Sequence, residues 1–122
     1  MAKSTASLSV FCLLLLLLSF GMLLKPANGQ GRSWCVAKPS TEDATLSSNI
    51  KSACDELGSM GLNCSQIQQT GACYEPETLI NHASFVMNSY YQAYSRQEHA
   101  CYFANSGLIT VSDPSYGNCQ YV

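Results

Sequence analysis

Charge is scarce in this sequence. Of 122 residues only six are Lys or Arg and eight are Asp or Glu, and the basic ones gather nowhere. A stripe that could neutralise a nucleic-acid backbone or an anionic bilayer surface is therefore missing. Tryptophan occurs once and proline four times, too little for a proline-rich linker. The absence of any C-x-x-C pair argues against a thiolate metal site, and G-x-S-x-G, the context of a nucleophilic serine, is absent too. Internal repeats and low-complexity tracts are likewise missing, which leaves a single domain behind a strongly apolar start.

That start is "LSVFCLLLLLLSFGMLL", Leu8 to Leu24, preceded by Lys3 and followed by "KPANGQ" with small residues at Ala27 and Gly29. A basic start, an apolar middle and a small-residue exit predict a secretory signal over 1–29, cleaved after Gly29, in preference to a single-pass anchor. Its removal takes away Lys3 and Lys25, leaving four basic against eight acidic residues and a formal charge of −4. Cys12 goes too, and Cys35, Cys54, Cys64, Cys73, Cys101 and Cys119 remain. An even count in a short exported chain predicts three disulfides, although spacing leaves fifteen pairings open. Size supplies the reason: a domain of about 90 residues buries only roughly 60 to 65% of its unfolded surface, so covalent closure supplements a thin core.

The domain spans residues 31–122. "RSWCVA" reads as a short extended segment. Ser40 or Thr41, followed by Glu42 and Asp43, predicts a helix start with acids in the first turn. Leu46, Ile50, Ala53, Cys54 and Leu57 then recur at helical spacing until Gly58 and Gly61 end the helix. One short helical turn follows Ser65. Asn63-Cys64-Ser65 matches a glycosylation sequon, with a cysteine at its centre that makes it a poor one. A second helix is predicted from Pro76 to about Ser95, with Glu75 and Glu77 at its start. Leu79, Ala83, Val86, Tyr90 and Ala93 or Tyr94 form the stripe expected inside; Ile80, Met87, Tyr91 and Tyr94 form an adjoining one expected to stay accessible. Runs at Cys101–Ala104, Leu108–Val111 and Cys119–Val122, separated by turn residues, predict a small antiparallel sheet. The fold class is a small disulfide-rich α+β domain.

Catalysis finds little support. Glu75 and Glu77 serve as helix-start acids, Asp113 before Pro114 starts a turn, and Ser84, His82 and Asp113 lack the context of a nucleophile. A chain this short also struggles to enclose a water-excluding pocket. Binding fits better, because flat aromatic rings match the apolar faces of sugars while Asn, Gln, Ser and Tyr match their hydroxyls. Tyr-rich surfaces also bind proteins.

"WCV" at Trp34–Val36, "NCSQI" at Asn63–Ile67, "GACYEP" at Gly71–Pro76, "HASFVMNSYYQ" at His82–Gln92, "CYF" at Cys101–Phe103 and "DPSYGNC" at Asp113–Cys119 resemble the plant X8 domain, carbohydrate-binding module family 43. The resemblance covers nearly the whole predicted mature chain. It implies a non-catalytic module for β-1,3-glucan of the callose and laminarin type, with two helices packed at an angle beside a small sheet. It further implies the pairings Cys35 with Cys101, Cys54 with Cys64, and Cys73 with Cys119. Departures are Tyr102 where members commonly have an acid, and a longer loop between the second and third cysteines.

The resulting expectation is a secreted, extracellular monomer of the apoplast or cell wall, without enzymatic activity, cofactor or metal, without nucleic-acid partner or membrane anchor. Tyr91 and Tyr94, with Trp34, Tyr74, Tyr102 and Phe103, would supply stacking surface, and Asn88 and Gln92 hydrogen bonds; Trp34 and Phe103 have a core role as the alternative. A separate cell-wall glucan hydrolase is a further candidate partner. The alternative function is a protein-interaction or defence module using the same aromatic face.

Overall fold

The computed structural model describes residues 31–122, so the expected signal and its Cys12 lie outside the described residues. Ser33–Val122 pack as one unit. Its elements are β1 (Trp34–Ala37), α1 (Asp43–Ser59), a 3₁₀ turn (Ser65–Ile67), α2 (Leu79–Ala93), a second 3₁₀ turn (Glu98–Cys101) and β2 (Gly107–Thr110). This is the expected small α+β arrangement.

Helix α1 buries Leu46, Asn49, Ala53 and Leu57; Ile50 and Cys54 of the predicted stripe are half-buried. Glu42, rather than Ser40 or Thr41, occupies its capping position. Gly58 lies inside the helix, and Gly61 ends it. The N–H of Leu62 donates to Leu57 O at 2.9 Å and that of Gly61 to Gly58 O at 3.0 Å. Gly61 sits at φ +80°, the left-handed position of a Schellman closure. Helix α2 begins later than predicted. Pro76 lies in the preceding turn behind a cis peptide bond, and the Thr78 hydroxyl caps the helix by accepting from the Asn81 N–H at 3.2 Å.

The two helices run side by side in the same direction. Asn49 Nδ2 meets Met87 Sδ at 3.6 Å and, two turns further along both helices, Glu56 Oε1 meets the Tyr94 hydroxyl at 2.6 Å. Parallel neighbours cannot be joined by a tight turn. A 17-residue helix is about 25 Å long, so residues 60–78 must travel back along it before α2 can start.

The sheet differs from expectation. It has two strands, β1 and β2, antiparallel, with Trp34 opposite Thr110 and Ala37 opposite Gly107. Cys101–Ala104 is not a strand: Cys101 closes the second 3₁₀ turn, and Phe103, Ala104 and Asn105 take φ of 45°, 51° and 65°. That left-handed run folds the chain back so closely that a Cβ on Gly107 would lie 1.8 Å from the Cys101 carbonyl oxygen, room for glycine alone. Cys119–Val122 is no strand either; Tyr116 and Cys119 exchange backbone bonds across a tight turn.

Along its other edge β1 is paired with a helix. The N–H of Ala37 donates to Ser84 Oγ at 3.0 Å and that of Cys35 to Asn88 Oδ1 at 3.1 Å, while Gln92 Nε2 donates to Ser33 O at 2.8 Å. Four residues of helix rise about 6 Å and two of strand about 6.6 Å, so side chains at i, i+4 and i+8 of α2 match alternate residues of β1. Covered by α1 on one side and β1 on another, α2 buries every residue from Ala83 to Asn88.

The disulfides pair Cys35–Cys101, Cys54–Cys64 and Cys73–Cys119. The first ties β1 to a 3₁₀ turn rather than to a sheet strand. Their separations of 66, 10 and 46 residues rank their expected worth. Denaturant unfolding of Cys35→Ala/Cys101→Ala should show a loss of roughly 4 kcal/mol, against about 2.7 kcal/mol for Cys54→Ala/Cys64→Ala, in the loop-entropy treatment. Asn88→Ala, which strands the Cys35 N–H and the Val122 carbonyl that accepts from Asn88 Nδ2 at 3.2 Å, should lose about 2 to 4 kcal/mol. Wild-type stability for Asn88→Ala would refute the helix-to-strand pairing as a structural support.

Candidate functional site

Three of the predicted contact residues lie inside the protein. Trp34 is 4% exposed, Asn88 0% and Tyr91 2%. The accessible stripe expected through Met87 and Tyr91 is the one that β1 covers, and the Tyr91 hydroxyl bonds Ser33 Oγ at 2.8 Å. Asn88 spends its amide on Cys35 and Val122. As accessible contacts these three are corrected: periodicity marked the stripe as apolar, and the strand that covers it comes from a remote part of the chain.

The remaining five divide. Gln92 is half-buried; its Nε2 reaches Ser33 O and Asn88 Oδ1, and its Oε1 accepts from Arg96 at 3.3 Å. Tyr74 stands apart, its ring 5.5 Å from that of His82, and the Glu77 carboxylate raises its phenol pKa. Tyr102 is 62% exposed. Tyr94 and Phe103 come together through a residue assigned to the interior on periodicity. The Tyr90 ring lies 4.6 Å from that of Tyr94 and 5.3 Å from that of Phe103, edge-on to the latter.

Tyr90 and Phe103 line a recess of about 280 Å³ whose other walls are Ser52, Ala53, Glu56, His99 and Ala100; Tyr94 packs on Tyr90. Helix α1 contributes Ser52 and Glu56, α2 contributes Tyr90, and the second 3₁₀ turn and the left-handed run after it contribute His99 and Phe103. Glu56 accepts from the Tyr94 hydroxyl. That hydrogen bond first, then partial desolvation and the carboxylate's charge, push the Tyr94 phenol up to about 12. The recess thus offers aromatic rings, a carboxylate acceptor, an imidazole and a hydroxyl, a set suited to hydroxyl-bearing ligands. Only one wall residue carries a carboxyl group, whereas glycoside hydrolysis needs two. The triad considered from sequence is not assembled: His82 Nε2 is engaged with Tyr74 O at 2.7 Å and Ser84 Oγ with the Ala37 N–H. Glu56, His99 and Ser52 escaped sequence reasoning because each sits at an exposed helical or turn position that carries no local signal.

A second, larger recess of about 650 Å³ lies along Leu57, Phe85, Ser89 and Ala93, with Asn63, Gln66, Gln92, Asn118 and Gln120 among its walls. Leu57 follows Glu56, and Ser89 precedes Tyr90, so neighbouring residues of both helices serve different recesses. Among the described residues no group of three or more His, Cys, Asp or Glu could hold a metal ion, and no helix is long and apolar enough to cross a membrane.

The sequence profile of the X8 domain matches residues 33–108. The chain belongs to the X8 family. Among its relatives is the major pollen allergen Ole e 10 of Olea europaea, 43% identical over 98 residues, which are 80% of this chain and 77% of the relative. Plasmodesmata callose-binding protein 5 of Arabidopsis thaliana is 42% identical over 88 residues, 72% of this chain and 47% of that one. A glucan endo-1,3-beta-glucosidase of Triticum aestivum is 47% identical over 92 residues, 75% of this chain but 19% of the glucosidase. The chain therefore spans about a fifth of that X8-bearing enzyme and less than half of the callose-binding protein.

The Tyr94–Glu56 bond has a measurable signature. Neutral phenol is the donor, so folding holds this proton more tightly than the unfolded chain does, where phenols titrate near 10. The bond's contribution to stability is whole below about pH 10 and is lost as pH rises through about 12. In a phenolate absorbance titration Glu56→Gln should move one tyrosine transition down toward 10, and Tyr94→Phe should delete it; an unchanged curve in Glu56→Gln would exclude the coupling.

Proposed function

We propose that this chain is a non-catalytic β-1,3-glucan-binding module of the plant cell wall or apoplast, acting as a monomer. The observation that carries the reading is a recess lined by Tyr90 and Phe103, with Tyr94 packed on Tyr90, that also presents Glu56 and His99. Aromatic rings can meet the apolar face of a glucosyl unit while the carboxylate and imidazole take its hydroxyls. Callose, named in one relative, is a β-1,3-glucan, and the glucosidase relatives are named for the same linkage. Tyr102, open to solvent one residue before Phe103, extends the aromatic surface for a longer chain. Tyr74 stands outside this cluster and is left out of the proposed contact. Secretion through the 1–29 segment would deliver the module to its polymer.

A sedimentation assay on insoluble β-1,3-glucan, with cellulose as control, tests the proposal. Retention on β-1,3-glucan is expected, and Phe103→Ala, checked for intact disulfides and circular dichroism, should bind roughly tenfold more weakly, about 1.4 kcal/mol. Raising salt from about 0.05 to 0.5 M should change retention little, since the ligand is uncharged. No reducing sugar should be released from laminarin. Absence of retention, with a defined complex in wall extracts, would instead favour a protein-interaction or defence module.

A further inference from the structure

The larger recess has a chemical character of its own. None of its wall side chains is charged, although the described chain carries four basic and eight acidic residues; Val122, the last residue described, also lines it, its O accepting from Asn88 Nδ2 at 3.2 Å. Its polar side chains are amides and one hydroxyl: Asn63 and Gln66 from the returning connection, Asn118 and Gln120 from the C-terminal segment, Ser89 from α2, and Gln92 beside it with its Nε2 already bonded to Ser33 and Asn88, above an apolar floor that includes Phe85. An amide offers one donor end and one acceptor end, as a sugar hydroxyl does. A wall whose side chains are amides rather than ionised groups suits a neutral, hydroxyl-rich ligand.

The walls are also held in place before any ligand arrives. Asn63 Oδ1 accepts from the Ser65 N–H at 3.0 Å and Gln66 Oε1 from the Ala72 N–H at 3.1 Å, which fixes the carbonyl end of each and leaves its NH₂ as the donor. Cys64 and Cys73, in the segments that carry Asn63, Gln66 and Ala72, are bonded to Cys54 and to Cys119, and Cys119 stands between Asn118 and Gln120. Two cross-links thus frame this recess, and pre-ordering lowers the entropy lost on binding. Its volume of about 650 Å³ lies within the range of ligand sites.

We infer that the amide-walled recess is a second carbohydrate site, separate from the aromatic one, and that one molecule holds two strands of neutral β-glucan and bridges them. The inference rests on the glucan reading for the identity of the ligand. The aromatic recess grips by its rings and the amide recess by hydrogen bonds over an apolar floor, so each can be disabled alone.

The test uses the oxidised protein with two probes, a β-1,3-linked glucose hexasaccharide and a long soluble β-1,3-glucan. In NMR titration the hexasaccharide should move two sets of signals, one from Tyr90 and Phe103 and one from the side-chain amides of Asn63, Asn118 and Gln120. Asn118→Ala/Gln120→Ala should abolish the shift of the remaining Asn63 amide and keep that of Tyr90; Phe103→Ala should abolish the Tyr90 shift and keep those of Asn63, Asn118 and Gln120. With the long glucan, wild type should raise light scattering to a maximum at an intermediate mixing ratio, as bridging requires. The Asn118→Ala/Gln120→Ala variant should stay bound to insoluble glucan yet give roughly a tenth of that scattering or less. Movement of the aromatic set alone overturns the second site while sparing the glucan reading. Movement of neither set overturns both.

Discussion

The ladder between α2 and β1 is the contact on which the rest of this structure depends. Ser84, Asn88 and Gln92 present polar atoms one helical turn apart to Ala37, Cys35 and Ser33. A two-stranded sheet leaves its first strand with an unpaired edge, and in the interior that edge would be expensive. Here a helix occupies the place of a third strand. With β1 held, Cys35 meets Cys101, the 3₁₀ turn at Glu98–Cys101 is anchored, and the left-handed run brings Phe103 to the Tyr90 ring. The aromatic recess is thus a downstream result of three amide and hydroxyl contacts, two of them buried.

Running two helices in parallel has a second consequence. The connection must retrace the length of α1, and in a domain this small such a length of irregular chain would fray without restraint. The Cys54–Cys64 and Cys73–Cys119 bonds fasten it at both ends. The segment made necessary by the topology then becomes wall material for the amide-lined recess. Structural constraint and surface function share the same residues.

The two recesses divide the chemistry of sugar recognition. One offers rings, a carboxylate and an imidazole; the other offers amides and an apolar floor without an ionised side chain. Neither presents a paired carboxylate arrangement among its walls. Both lie between elements that covalent bonds hold in place, which favours shallow, pre-ordered contact over a closing pocket.

Much was legible in the residues themselves, because it depends on local chemistry. The apolar stripe of α1, its glycine closure, the 3₁₀ turn after Ser65 and the existence of α2 follow from spacing and turn preferences. The cysteine frame and the quoted motifs carried the family resemblance, and with it the pairing that the structure shows. What tertiary structure alone decided is which face of α2 meets which neighbour. Periodicity marks Met87, Tyr90, Tyr91 and Tyr94 as apolar, but whether a ring is enclosed depends on how many elements pack on the helix, and β1 reaches it from some fifty residues away. The partner of β1 is more distant still, at Gly107–Thr110, and no short window contains both. Each recess joins three or more chain segments, so its existence is a property of packing and not of any one motif.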